Sequence, residues 1–517
     1  MPSIRRSIQI RRALLGFLAF AMFSSTATSC FAQLQKAAPH EFKVKLSESV
    51  AKEPITGRLY LFFTAREQGE PMNGPNWFGP EPFYGKEISG LAPGATAAID
   101  DSADGFPDVI SKIKPGKYRV QALLDHDVYY PSPNNGVGNF YSAVSSIEIK
   151  EEPTTLELTL DKVVEQRPWV TKEWIKPIAY KSELLSKHFK RDFEDRAVVI
   201  LPKSYTEHSE RRYPVLYEVS GFGGSLPSMA RAFQNAAPGA AEGELDCIRV
   251  MLSGECKWGH HVYADSAING PRGRVLTEEL IPLIDREFRT VADSKARFVK
   301  GHSSGGWSSL WLQVTYPDVF GGVWSTAPDP VDFRDYQQSD IYANPPISIY
   351  FFENGEKKPL ARQGTKPIIW YPDFAKMDDV LSKGGQLRSF EAVFSPLDEK
   401  GLPKKMWDRK TGKVDPSTAE SWKAYDINLV LKNNWPKLAP KLAGKIHISM
   451  GDLDTFYLNG ATALLKQTLA DLGSDAQVEM VPGKDHGSLM TKELRERQKR
   501  EMLEAYSKYY DLEGRPR

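Results

Sequence analysis

The 517-residue chain sets 67 lysines and arginines against 66 aspartates and glutamates, a formal charge of +1, with 41% hydrophobic residues. So even a balance leaves no field to recruit nucleic acid or an anionic membrane surface. Its length and apolar content are enough for two or three packed cores.

At the N-terminus, Arg5, Arg6, Arg11 and Arg12 precede an apolar run over 13–23 and small residues ending at Ala32. That order is expected of a secretory signal peptide over 1–32. The run is too short to cross a bilayer, which takes about 20 residues. The mature chain is expected to start near Gln33, exported to the periplasm or the medium. A rival reading makes Cys30 a lipidated N-terminus, but Ala27-Thr28-Ser29 matches the usual preceding residues poorly. Cys247 and Cys256 then reach an oxidising compartment, either bridged or free.

From 40 to 161 the pattern is short strands of period two at 42–46, 58–63, 117–123, 146–149 and 155–160, parted by Gly, Pro and Asn turns. An antiparallel β-sandwich accessory domain is expected. Trp77, Phe78, Phe83 and Tyr84 lie where they could stack on a sugar or edge a neighbouring active site, although a packing or spacer module has the same pattern. Asp125-His126-Asp127 is not read as a metal site, because adjacent side chains seldom converge. Residues 162–178, with two tryptophans and two prolines, are expected to form an ordered linker. Over 179–517, apolar strands alternate with helical periods, including an amphipathic helix expected directly after residue 305. A doubly wound, mostly parallel sheet with both faces covered follows. Residues 327–444 exceed any ordinary crossover and are expected to form a cap-like insertion.

Within this second domain, Gly301-His302-Ser303-Ser304-Gly305 sits between a short strand and a helix. G-x-S-x-G in that context exposes a nucleophilic serine on a sharp turn, which makes Ser303 the candidate nucleophile. A serine hydroxyl needs an adjacent base oriented by a third group. In this architecture the order is serine, acid, histidine, and only His447 and His486 follow Ser303. His447 lies inside a strand and is read as structural. His486 lies in a turn after the last strand, where a base should hang. For the acid, Asp454 follows a strand end in Gly451-Asp452-Leu453-Asp454; Asp452 is the second choice and Asp329 the third. The oxyanion donors are expected to be the N–H groups of Ser304 and of Phe222, the latter in the glycine-rich Ser220-Gly221-Phe222-Gly223-Gly224. Trp258 and Tyr263, in the loop of 258–266, are read as substrate contacts. His260, His261 and Asp265 in that loop are not read as metal ligands, since the adjacent histidines diverge.

These residues resemble those of the putative esterase family that includes feruloyl esterases, enterochelin esterases and esterase D. The resemblance spans about residues 180 to 510. It rests on Arg212-Tyr213-Pro214-Val215-Leu216-Tyr217, Gly221-Phe222-Gly223-Gly224, Asp265-Ser266 with Asn269-Gly270-Pro271, and Gly301-His302-Ser303-Ser304-Gly305-Gly306. It implies an α/β-hydrolase fold and carboxylic-ester hydrolysis, with Ser303, the acid and His486 at the triad positions and no cofactor. Ser220 stands where a histidine often precedes the oxyanion glycine, and the 327–444 insertion is unusual; both bear on the substrate. The expected substrate is a small-molecule or carbohydrate ester. An acyltransferase using the same triad and a catalytically dead glycan-binding protein are the alternatives.

Overall fold

The computed structural model describes residues 40–517; the segment expected as a signal peptide, with Cys30, lies outside the described residues. The nine strands between Glu41 and Val163 form one hydrogen-bonded network. It folds over a single core in which Phe42 and Val44 of one flank meet Leu61, Phe63, Val120 and Leu124 of the centre. The central strand Ile55–Thr64 is buried on both faces. Its odd positions Leu59, Leu61 and Phe63 fill this core, whereas Tyr60 and Phe62 join the core of the second domain. Period-two alternation therefore separates two cores here, not a core from water.

Several polar contacts fix that docking. The Arg58 guanidinium donates to the Val380 carbonyl at 2.7 and 3.1 Å, and the Tyr60 hydroxyl donates to the Leu381 carbonyl at 2.7 Å. Both carbonyls close the helix Tyr371–Leu381, beyond the Asp378 and Asp379 carbonyls that accept from its cap, Ser382 N–H. A cation there also meets the negative end of the helix dipole. Trp77 packs on Phe374 of the same helix with ring centroids 4.6 Å apart. Lys257 reaches across to Asp125 at 2.7 Å. Asp125 is thus a docking residue, and Asp127 accepts from the Tyr129 and Tyr130 amides.

The second domain is built on an eight-stranded sheet. In chain order its strands are β1 (Ile175–Lys181), β2 (Glu194–Ile200), β3 (Val215–Val219), β4 (Ile248–Leu252), β5 (Arg297–His302), β6 (Gly322–Thr326), β7 (Ile446–Gly451) and β8 (Gln477–Val481). Their spatial order is β1-β2-β4-β3-β5-β6-β7-β8, and only β2 runs against the rest. This is the α/β-hydrolase sheet expected from the sequence. β1 begins at Ile175, inside the segment read as linker.

Two elements differ from expectation. The helix Ser304–Thr315 is not amphipathic: it is buried on almost every side. One side lies on the sheet, and the other is covered by later residues, with Trp307 against Phe394 at 5.2 Å and Trp311 against Tyr425 at 5.7 Å. The segment after β6 also divides. A hairpin (Pro359–Gln363 and Lys366–Trp370) and the helices Tyr371–Leu381, Gln386–Phe394 and Pro416–Trp422 precede Ile427–Leu442. That last helix packs beside Ser304–Thr315 and leads into β7, so it is the sheet's ordinary crossover. Cys247 and Cys256 are unbridged and buried, and burial pushes their thiols up to about 12 and about 11.

Candidate active site

The chosen residues gather at the carboxyl ends of the parallel strands, where ligands of open α/β sheets bind. Ser303 follows β5 with φ 60° and ψ −127°, a left-handed conformation that costs a non-glycine residue about 1–3 kcal/mol. The flanking glycines permit the turn: a Cβ on Gly301 would stand 2.0 Å from the Gly305 carbonyl oxygen. Ser303 N–H donates to the Thr326 carbonyl of β6 at 3.0 Å, which ties the turn to the next strand.

β7 ends at Gly451 and delivers Asp454, which is fully buried. Asp454 Oδ1 accepts from the Phe456 and Leu458 amides at 2.9 and 3.3 Å, and Oδ2 faces His486 Nδ1 at 2.7 Å. The two carboxylate oxygens therefore have separate partners. Asp452, the second choice, is exposed and accepts from Gly483 N–H at 2.7 Å, steadying the loop that carries His486. The His486 ring lies 4.6 Å from His302, the residue before Ser303, and 4.9 Å edge-on from Phe456. Burial and the neighbouring His486 lower the His302 pKa to about 4, so that ring is neutral packing.

Asp329, the third choice, is drawn to a different partner. Its carboxylate accepts the Ser304 hydroxyl at 2.5 Å, and its amide donates to the Ser303 carbonyl at 3.3 Å. Burial pushes its pKa up to about 6, against the lowering effect of the Ser304 bond. It braces the residue whose amide heads the helix. The glycine-rich loop after β3 stands on the opposite side. A Cβ on Gly221 would lie 3.4 Å from Ser303 Cβ, and Gly224 N–H donates to the Gly221 carbonyl at 3.1 Å with Gly223 at φ 77°. Phe222 is then the second residue of a tight turn whose closing bond does not use its amide.

His260, considered in the sequence only as a metal ligand, holds this loop. It is 1% exposed; Nδ1 accepts from Val262 N–H at 3.0 Å, so Nε2 is the donor to the Ser220 carbonyl at 2.9 Å. Burial lowers its pKa to about 4. The signal available in the sequence was its place after β4, the neighbour of β3. Tyr263 is a correction. Expected at the substrate cleft, it is 7% exposed, stacks edge-on against His261 at 4.6 Å and donates its hydroxyl to the Ser253 carbonyl. The strand-end loop turns its ring inward because Val262 and Tyr263 both adopt positive φ. Trp258 turns to the insertion, under the Lys383 ammonium at 5.5 Å. His447 stacks on Trp324 at 4.6 Å in the sheet.

A narrow pocket opens beside the pair, lined by Asp329, Gln337, Leu360, Phe374, Leu387 and Phe456 among others. The N-terminal domain edges it through Trp77 on Phe374 and Phe78 on Phe456, the latter at 6.3 Å.

A family model described as "Putative esterase" matches residues 189–488. The chain belongs to this family. Ester hydrolysis is the activity the family describes, and the matched stretch runs from just before β2 past His486. Among solved structures, a ferulic acid esterase is similar at 15% identity, over 64% of this chain and 98% of its own, with a TM-score of 0.37. FphF, a fluorophosphonate-binding serine hydrolase of Staphylococcus aureus, is similar at 12% identity over 64% and 98%, TM-score 0.37. An S-formylglutathione hydrolase from Agrobacterium tumefaciens is similar at 14% identity over 65% and 97%, TM-score 0.37. No helix among the described residues is long and apolar enough to cross a membrane.

Proposed function

We propose that this esterase is an exported serine hydrolase that cleaves a carboxylic ester through an acyl-enzyme. The carrying observation is the Asp454–His486 contact of 2.7 Å beside the strained turn at Ser303. With Nδ1–H held by Asp454, His486 presents Nε2 free of its proton as the base. Nε2 takes the Ser303 hydroxyl proton as Oγ attacks the ester carbonyl. The oxyanion that forms is met by the amides of Ser304 and Phe222, fixed before substrate arrives by Asp329 and His260 respectively. Collapse expels the alcohol, protonated by His486, and leaves Ser303 acylated. Water, activated by the same imidazole, then releases the acid. Export rests on the basic and apolar order of residues 1–32.

The test is hydrolysis of p-nitrophenyl acetate by the wild type and by Ser303→Ala. The variant is expected to fall to the solution background; undiminished turnover would overturn the assignment.

A further inference from the structure

The loop that carries Asp454 is gripped by one residue of the insertion. Arg362 lies on the first strand of the hairpin, Pro359–Gln363, 92 positions before Asp454. Its N–H donates to the Thr455 carbonyl at 2.8 Å, which lays that strand along the loop after β7. Its Nε donates to the Asp454 carbonyl at 2.9 Å, and one terminal nitrogen donates to the Asp452 carbonyl at 3.3 Å and to Asn459 Oδ1 at 3.2 Å. The guanidinium also covers the Tyr457 ring, its carbon 4.5 Å from the centroid, a cation on an aromatic face. A planar fork of fixed donors can serve several acceptors at once, as a single ammonium cannot. One side chain thus ties together the residue after β7, the acid and the first residue of the helix Asn459–Asp471.

Those ties bear on the carboxylate because its aim depends on the shape of the loop. Oδ1 is fixed by the Phe456 and Leu458 amides, so Oδ2 meets His486 only while residues 454–458 keep their turn. The turn passes through Tyr457 at φ 58°, a left-handed conformation that a non-glycine residue holds only where its surroundings over-determine it. Arg362 supplies those surroundings, on the Tyr457 ring and on the carbonyls of Asp452, Asp454 and Thr455. We infer that Arg362 is a positioning residue of this esterase, which holds the acid loop so that Asp454 Oδ2 stays aimed at His486 Nδ1. The insertion then serves the chemical step through this hairpin. This inference rests on the reading of Ser303, Asp454 and His486 as the catalytic triad.

The experiment measures kcat and KM for p-nitrophenyl acetate, with the Tm of each sample, in the wild type, Ser303→Ala, Arg362→Ala and Arg362→Lys. Misplacing a catalytic group by about 1 Å costs about 10²-fold, so Arg362→Ala is expected to lose about 10- to 100-fold in kcat, with KM within about twofold of wild type. Arg362→Lys keeps the charge and the backbone bond to Thr455 but replaces the fork with one nitrogen, and its kcat is expected to fall by about fivefold or more. In an Asp454→Asn background, Arg362→Ala is expected to change kcat/KM by less than about twofold, because its effect runs through the carboxylate already removed. Folded Arg362→Ala with kcat within about threefold of wild type, or a loss carried by KM alone, overturns the role of Arg362 while Ser303→Ala stays inactive. A full further loss in the Asp454→Asn background does the same, since it makes the effect independent of the acid. Wild-type kcat in Arg362→Lys also overturns it, and that result stands even where Arg362→Ala does not fold. Undiminished turnover in Ser303→Ala overturns the triad reading and the inference with it.

Discussion

Replacing Asp454 with asparagine separates its two hydrogen-bonding duties. Oδ1 is committed to the Phe456 and Leu458 amides, so in Asp454→Asn the carbonyl oxygen stays there and the NH2 takes the place of Oδ2. That NH2 then points at His486 Nδ1, now 2.7 Å from an acceptor oxygen. A donor facing Nδ1 forces the ring proton onto Nε2, the nitrogen that must receive the Ser303 proton. The equivalent change in a serine protease triad lowers kcat by about 10⁴, which is ~5 kcal/mol of transition-state stabilisation. The assay is kcat/KM for p-nitrophenyl acetate, with the melting temperature measured on the same sample. Asparagine has the same shape as aspartate, so the fold should persist. A folded variant within about tenfold of wild type would refute the assignment of Asp454 as the orienting acid.

Asp329→Asn should behave differently, because an asparagine oxygen can still accept the Ser304 hydroxyl; kcat/KM is expected to fall by no more than about tenfold, and a loss as large as that of Asp454→Asn would make Asp329 the acid. Its stability carries a pH signature. The Asp329 carboxyl is raised by burial from 3.8 to about 6, so its stabilising contribution is full below the lower value and is lost as pH rises through the upper one. About two units correspond to ~3 kcal/mol, or about 3 °C for a cooperative unit of this size. Relative to wild type, Asp329→Asn should therefore gain about 3 °C in Tm between pH 4 and pH 8 by calorimetry, and a constant difference would contradict the raised carboxyl. At the domain contact, Tyr60→Phe removes one of the two hydrogen bonds to the Leu381 carbonyl, which keeps the Lys383 N–H at 2.7 Å, so the cost is that of one lost bond, about 1 kcal/mol. The Tm is expected to drop by about 1 °C, and an unchanged Tm would show that this bond does not help hold the N-terminal sheet on the insertion.

Legibility in the sequence followed the range of the interaction. The turn at Ser303 was readable because its demands are local: glycines where Cβ atoms would collide, a strand before and a helix after. His486 and Asp454 were readable from their places after strand ends, since chain order in a parallel sheet sets which loops share a face. Local pattern failed where partners lie far apart in the chain. The helix Ser304–Thr315 carries Trp307 and Trp311, yet only Phe394 and Tyr425 decide that its outer side is dry. Arg58 and Val380 meet across 322 positions, and nothing in the alternation of 58–63 distinguishes a strand facing water from one facing a second core. Tyr263 misled for the opposite reason: its loop has the right address, but positive φ at two successive residues turns the ring inward.

The central claim is that Ser303 is a hydroxyl activated by the His486–Asp454 pair, and covalent labelling addresses it most directly. Wild-type protein treated with a fluorophosphonate should gain one adduct by intact mass, mapped by peptide sequencing to Ser303, and Ser303→Ala and His486→Ala should gain none. An adduct on another residue, or labelling that persists in Ser303→Ala, would contradict it.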